Sequence, residues 1–125
     1  MLKRIIAFDL DDVICYRDKK YESMGPAKYK YCIPIESTIE MINALYDEGF
    51  FIKIYTSRGM SQFNEDLDTI EEELRSLTEE SLLHWGVKYH KLIFGKEHYD
   101  LIIDDKALNI KDITSVSFIK NFLNL

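Results

Sequence analysis

Three carboxylates stand at Asp9, Asp11 and Asp12, directly behind the apolar run Ile5-Ile6-Ala7-Phe8. Like charges this close repel unless a cation or another positive group compensates them. A lone acidic turn of this kind can be nothing more than solvated surface, so the other polar groups of the chain decide how it is read. Three further apolar runs end in groups able to handle phosphate or metal: Thr56-Ser57 with Arg58 behind them, Lys96 after Gly95, and Asp104-Asp105. Asp9, Asp11 and Asp104 together would make an oxygen-rich, strongly negative pocket. Hard oxygen ligands with room for water suit Mg2+ better than Zn2+, and no His or Cys stands at these positions. Thr56 and the amides after it can take phosphate oxygens, and Lys96 would offset the remaining negative charge.

Such groups meet only if the elements carrying them end at one edge. Short apolar runs rich in β-branched and aromatic residues, stopped by polar ones, read as strands buried on both faces. They predict strands over residues 5–8, 50–55, 92–94, 99–103 and 115–119. Ile35, Ile39, Ile42 and Leu45 recur at helical spacing behind Pro34, with Gly49 just past the end. Phe63, Leu67, Ile70, Leu74 and Leu77 mark a second helix capped by Ser61 or Asn64, with a break at 76–78 before a short helix over 79–85. Residues 107–111 suit one more short helix. This order predicts an α/β fold: one domain over 1–125, three α/β/α layers of Rossmann-like kind and a mostly parallel five-stranded sheet. A parallel sheet delivers the carboxyl ends of its strands to one edge, where ligands bind. The stretch 14–33 is irregular, rich in Tyr and Lys, and turned at Gly25-Pro26. Its length suits a flap or loop insertion over the carboxylates, which would carry Arg17 and Tyr21 to the leaving group. Arg58 is placed to grip a substrate carboxylate or a second phosphate, or to serve in a salt bridge.

The bulk numbers narrow the class. The chain has 125 residues, 46% hydrophobic and 30% charged, which is an ordinary globular composition. A net charge of -6 and the lack of any basic stripe argue against a nucleic-acid partner. No apolar stretch approaches a membrane span or a signal-peptide core, so a cytoplasmic protein is expected. Cys15 and Cys32 fit no metal-binding spacing and are expected as reduced thiols.

The pattern D-x-D-x-[TV] after a strand, a Thr ending the second strand, a Lys, and a hydrophobic strand ending in D-D resembles the haloacid dehalogenase-like phosphohydrolase superfamily. The first motif is Ile5-Ile6-Ala7-Phe8-Asp9-Leu10-Asp11-Asp12-Val13 and the second Phe51-Ile52-Lys53-Ile54-Tyr55-Thr56. The third centres on Lys96 and the fourth is Leu101-Ile102-Ile103-Asp104-Asp105. Tyr55-Thr56-Ser57-Arg58-Gly59-Met60, His84-Trp85-Gly86-Val87-Lys88-Tyr89 and Phe94-Gly95-Lys96 look like the small capless members that act as capsule-biosynthesis phosphatases. The sequence departs from the family pattern at Val13, where many members have Thr, and at Glu97, where Pro is usual. Lys91 is a rival for the lysine role.

The resemblance implies a Mg2+-dependent phosphomonoester hydrolase with no cap domain. Asp9 would be the nucleophile, forming an aspartyl-phosphate. Asp11 would protonate the leaving oxygen and later deprotonate water. The metal would be held by Asp9, the Asp11 main-chain carbonyl and Asp104, with Asp105 orienting Lys96 or the metal shell. Thr56 and Ser57 would bind phosphoryl oxygens and Lys96 would stabilise charge in flight. The implied substrate is a phosphorylated sugar or glyceryl-sugar intermediate of capsule or surface polysaccharide synthesis. An open site calls for a bulky substrate or a homo-oligomer. A receiver-like phospho-Asp signalling module is the rival from another class, but it would take phosphate on an Asp ending the third strand, and Phe94-Gly95-Lys96 has none. A phosphotransferase or mutase on the same scaffold would need a cap to exclude water, and the chain has no room for one.

Overall fold

Buried residues alternate along the strands, and that alternation decides how the chain closes. A computed structural model describes residues 4–125; Met1 to Lys3, expected to lead into the first strand, lie outside the described residues. The elements in chain order are β1 (Ile5–Asp9), β2 (Cys15–Arg17), a 3-10 segment (Lys19–Tyr31), β3 (Cys32–Pro34), α1 (Glu36–Asp47), β4 (Phe51–Thr56), α2 (Leu67–His84), β5 (Lys91–Phe94), a single 3-10 turn (Ile110–Asp112) and α3 (Val116–Phe122). β1, β4 and β5 form a parallel sheet in the order β1-β4-β5, and β2 pairs antiparallel with β3. The molecule is thus α/β with a small parallel sheet.

The register sets Phe8, Ile54 and Leu92 side by side, and all three are buried. Ile39, Ile42 and Leu45 of α1 and Ile70, Leu74 and Leu82 of α2 join them in one core. The opposite face, with Ile5, Lys53 and Lys91, stays half-exposed or exposed. The two faces are therefore not equivalent, as a three-layer sandwich would make them.

The sheet has three strands where five were expected. Among the described residues, 99–103 join no strand, and Leu101 and Ile103 stay 76% and 91% exposed. Residues 115–119 start α3 instead of a strand, because the Ser115 hydroxyl accepts the Phe118 amide at 3.2 Å and caps a helix there. In place of the helix expected over 107–111 there is a single 3-10 turn at Ile110–Asp112.

α2 runs through the expected break and carries Thr78 inward. Its cap is Asp66, whose carboxylate accepts the Thr69 amide and hydroxyl, and not Ser61 or Asn64. The expected flap is an ordered excursion between β2 and β3. Asp18 opens its 3-10 turns by accepting the Lys20 amide, and Gly25 kinks them at φ +63°. Buried Tyr29 fastens it to the body of the domain. Among the described residues no helix is long and apolar enough to cross a membrane.

Candidate functional site

Parallel pairing aligns the strand ends. Asp9 closes β1 opposite Tyr55, and Thr56 closes β4 opposite Phe94. Beyond Phe94 the chain turns at Gly95, with φ +96°, and the Lys96 amide continues the ladder by donating to the Thr56 carbonyl at 3.2 Å. Lys96 Nζ then reaches over to Asp9 Oδ2 at 3.4 Å. Lys91 lies at the other end of β5, in register with Lys53, so Lys96 is the lysine that meets the carboxylate.

Asp9 Oδ1 accepts the Leu10 amide at 3.0 Å. Burial pushes the Asp9 carboxyl above the ordinary carboxylate range, while Lys96 and that amide pull against it. Burial works against the Lys96 charge, but its contacts with Tyr99 and Asp9 leave it held above its ordinary value. The pair is a partly exposed carboxylate with a firmly protonated ammonium beside it.

The loop after β1 is folded tightly. Leu10 and Ile14 are both fully buried, and the Leu10 carbonyl accepts the amides of Val13, Ile14 and Cys15. Asp12 takes a positive φ of 71°, which Asp tolerates better than most residues. Between these anchors Asp11 turns inward. Its carboxylate accepts Arg58 Nε on Oδ2 and Arg58 Nη2 on Oδ1, both at 3.1 Å, and Arg17 Nη1 lies 3.4 Å from Oδ1.

Arg58 does not face a substrate. Its side chain is wholly buried, where Nη1 donates to the Thr78 hydroxyl at 3.2 Å and Nη2 contacts the Cys32 sulfur at 3.2 Å and the Cys15 sulfur at 3.6 Å. The Tyr29 ring lies under the guanidinium at 4.7 Å. Burial opposes the Arg58 charge, and Asp11 more than compensates, so Arg58 stays protonated above its ordinary value. Of the two thiols, contact with Cys32 and burial push Cys15 up, while contact with Cys15 and the nearby Arg58 charge pull Cys32 down against its burial. Asp11, Cys15 and Cys32 have ligand atoms within 4.8 Å of one another, a spacing that could hold a metal. The Arg58 guanidinium already supplies the positive charge there.

Thr56 is fully buried, and its hydroxyl accepts the Arg58 amide at 3.0 Å, fixing the turn that leaves Ser57 half-exposed. Gly59, at φ +80°, has no room for a Cβ, which would meet Leu74 Cδ1 at 2.7 Å. Arg17 binds Glu22 as well as Asp11, and Tyr21 stacks on Tyr31 at 4.5 Å within the 3-10 segment. Asp104 and Asp105 are exposed. Asp104 accepts the Lys106 amide at 2.8 Å, and that bond together with Asp105 draws it below the ordinary range. The structure therefore brings Asp9, Lys96, Thr56 and Ser57 to one edge and sets Asp11 just beneath it. It does not gather the Asp9, Asp11 and Asp104 carboxylates into one cluster.

That donor set bears on Mg2+. The ion binds through one or two carboxylates, with waters and substrate phosphate filling the rest of its shell. The Asp9 carboxylate, 39% exposed and free of any guanidinium, fits that mode. The Asp11 carboxylate is committed to Arg58 and Arg17, and Asp104 stands apart.

Sequence reasoning missed Tyr29, Thr78 and both cysteines as the walls around Arg58. Each comes from a different element, and no spacing links them.

A crystal structure of a structural-genomics target from Vibrio cholerae is similar to this chain, with a TM-score of 0.77, 21% identity, and coverage of 97% of this chain and 98% of that one. At that identity the likeness concerns the fold alone. No protein-family model and no curated protein matches the chain.

Proposed function

We propose that this chain is a phosphomonoesterase of the haloacid dehalogenase-like kind, acting in the cytoplasm on a small phosphorylated sugar or polyol of surface-polysaccharide synthesis. The observation that carries the reading is the Lys96 ammonium 3.4 Å from the Asp9 carboxylate, at the carboxyl end of a parallel sheet. A carboxylate there has a nucleophile's exposure, and the ammonium can meet the phosphoryl group it attacks.

Asp9 attacks phosphorus, forming a bond from its carboxylate oxygen while the bond to the leaving oxygen breaks. The leaving oxygen takes up its proton from water, because Arg58 and Arg17 hold the Asp11 carboxylate as an acceptor with no proton to give. Water then attacks the aspartyl-phosphate, the bond from phosphorus to Asp9 breaks, and Asp11 accepts the water's proton. Lys96 offsets charge on the transferring group. Ser57, in the turn that Thr56 fixes, receives phosphoryl oxygens. Mg2+ bound through Asp9 would neutralise charge between nucleophile and phosphate.

The test is phosphate release from a panel of sugar and polyol phosphates, with Mg2+ and with excess chelator. Mg2+-dependent turnover is expected. Equal turnover in chelator would remove the metal from the reading. Phosphate held stably on the protein without release would favour the receiver-like alternative.

A further inference from the structure

The sequence left Arg58 either at the substrate or in a salt bridge, and the structure gives it the salt bridge, inside the domain with Nε, Nη1 and Nη2 all engaged. Its Nε and Nη2 grip the two oxygens of Asp11, Nη1 is held by Thr78, and Nη2 also meets Cys32 and Cys15. The ring of Tyr29 closes one face of the guanidinium. A planar fork fixed on a carboxylate at both oxygens sets the angle of that carboxylate, which a single-point contact could not do. Both Asp11 oxygens accept N–H groups, so the carboxylate is held as an acceptor. That is the form able to take a proton from water.

We propose that Arg58 is the positioning residue that keeps Asp11 as the base of the second half-reaction, hydrolysis of the aspartyl-phosphate on Asp9. This rests on the phosphatase reading. In that step the water oxygen bonds to phosphorus, the phosphorus–Asp9 bond breaks, and the water proton passes to Asp11. Formation of the aspartyl-phosphate from a substrate with a good leaving group needs no proton from Asp11, so it should survive loss of Arg58. Thr78 and Tyr29 serve by holding the guanidinium in place.

The experiment is pre-steady-state release of the aryl alcohol from an activated aryl phosphate, with Mg2+ present, for the wild type, Arg58→Gln and Thr78→Val. Arg58→Gln should show a burst of about one aryl alcohol per protein followed by steady turnover slowed roughly 10²-fold, the range of a lost general base. Thr78→Val keeps the ion pair and removes only the hydroxyl. It should show the same burst with a smaller slowing, and it carries the test if Arg58→Gln does not fold, as judged by its melting transition. Acid quenching should recover phosphate bound to the variants during the steady phase. Burst and steady phases falling together in the folded variants would overturn the inference and leave the phosphatase standing. A wild type that releases neither alcohol nor phosphate would overturn the phosphatase reading and the inference with it.

Discussion

Lys96 Nζ lies 3.4 Å from Asp9 Oδ2, although β5 and β1 sit on opposite edges of the sheet with β4 between them. The long lysine stem spans the central strand because Gly95 turns the chain at φ +96° directly after β5 ends. The contact is partly exposed, with side chains 24% and 39% accessible, so it contributes little to folding. In the proposed reaction its value lies in the charge it places beside Asp9.

Lys96→Met should therefore lower kcat by about 10²–10³ while the melting temperature hardly moves. Lys91→Met should leave turnover within about twofold, since Lys91 begins β5 at the far end of the ladder. Steady-state phosphate release on both variants checks this. Equal losses would mean that the lysine acts through the sheet as a whole.

Asp9→Asn should abolish turnover and raise the melting temperature. Burial holds the Asp9 carboxyl above its ordinary range, so the folded protein disfavours the charged form. The sign follows from linkage. A raised carboxyl contributes stability below its unfolded value, and that contribution is lost as pH rises through the folded value. The gain of the Asn variant over the wild type should thus be small near pH 4 and grow at higher pH. Melting curves of the two proteins across that range measure it, and a gain that shrinks with pH would contradict the assigned direction.

Gly59→Ala should destabilise the domain by about 1–3 kcal/mol. The position combines φ +80° with a Cβ site 2.7 Å from Leu74 Cδ1 and 3.1 Å from Ile70 and Phe63. Because Gly59 follows Arg58 in the same turn, activity should fall further than the loss of folded protein explains. Chemical denaturation paired with turnover per folded molecule separates the two effects.

Much of this was legible in the residues. The runs ending at Asp9, Thr56 and Phe94 became β1, β4 and β5, and the stripe of Ile39, Ile42 and Leu45 became α1. In each case the local pattern and the burial agree. Leu101-Ile102-Ile103 misled because apolar, β-branched character reads as a strand whether or not a partner edge is reached. Ser115-Val116-Ser117-Phe118-Ile119 alternates like a strand, yet its first serine caps a helix. At the site, Asp9 and Lys96 were visible from their positions after strands, whereas Asp104 and Asp105, read the same way, follow no strand and stand apart. The inward turn of Asp11 and the cage around Arg58 were not, because they depend on Cys15, Tyr29, Cys32 and Thr78 meeting across 63 residues of sequence, from 15 to 78.

Tyr29→Phe tests whether the excursion between β2 and β3 is fastened or loose. The Tyr29 hydroxyl accepts the Gly59 amide at 3.3 Å and Gln62 Nε2 at 3.1 Å, joining the 3-10 segment to the turn after β4. The ring stays in the Phe variant, so packing over Arg17 and Arg58 is kept. The buried Gly59 amide loses its acceptor, a change that costs about 1–3 kcal/mol when no water replaces it. That loss falls on a local contact, so it should appear first as local opening and less in the global transition. Amide exchange within residues 19–31 should speed up by roughly tenfold or more, while β4 amides keep their protection. Exchange that accelerates evenly over the whole domain would mean the segment opens only when everything does.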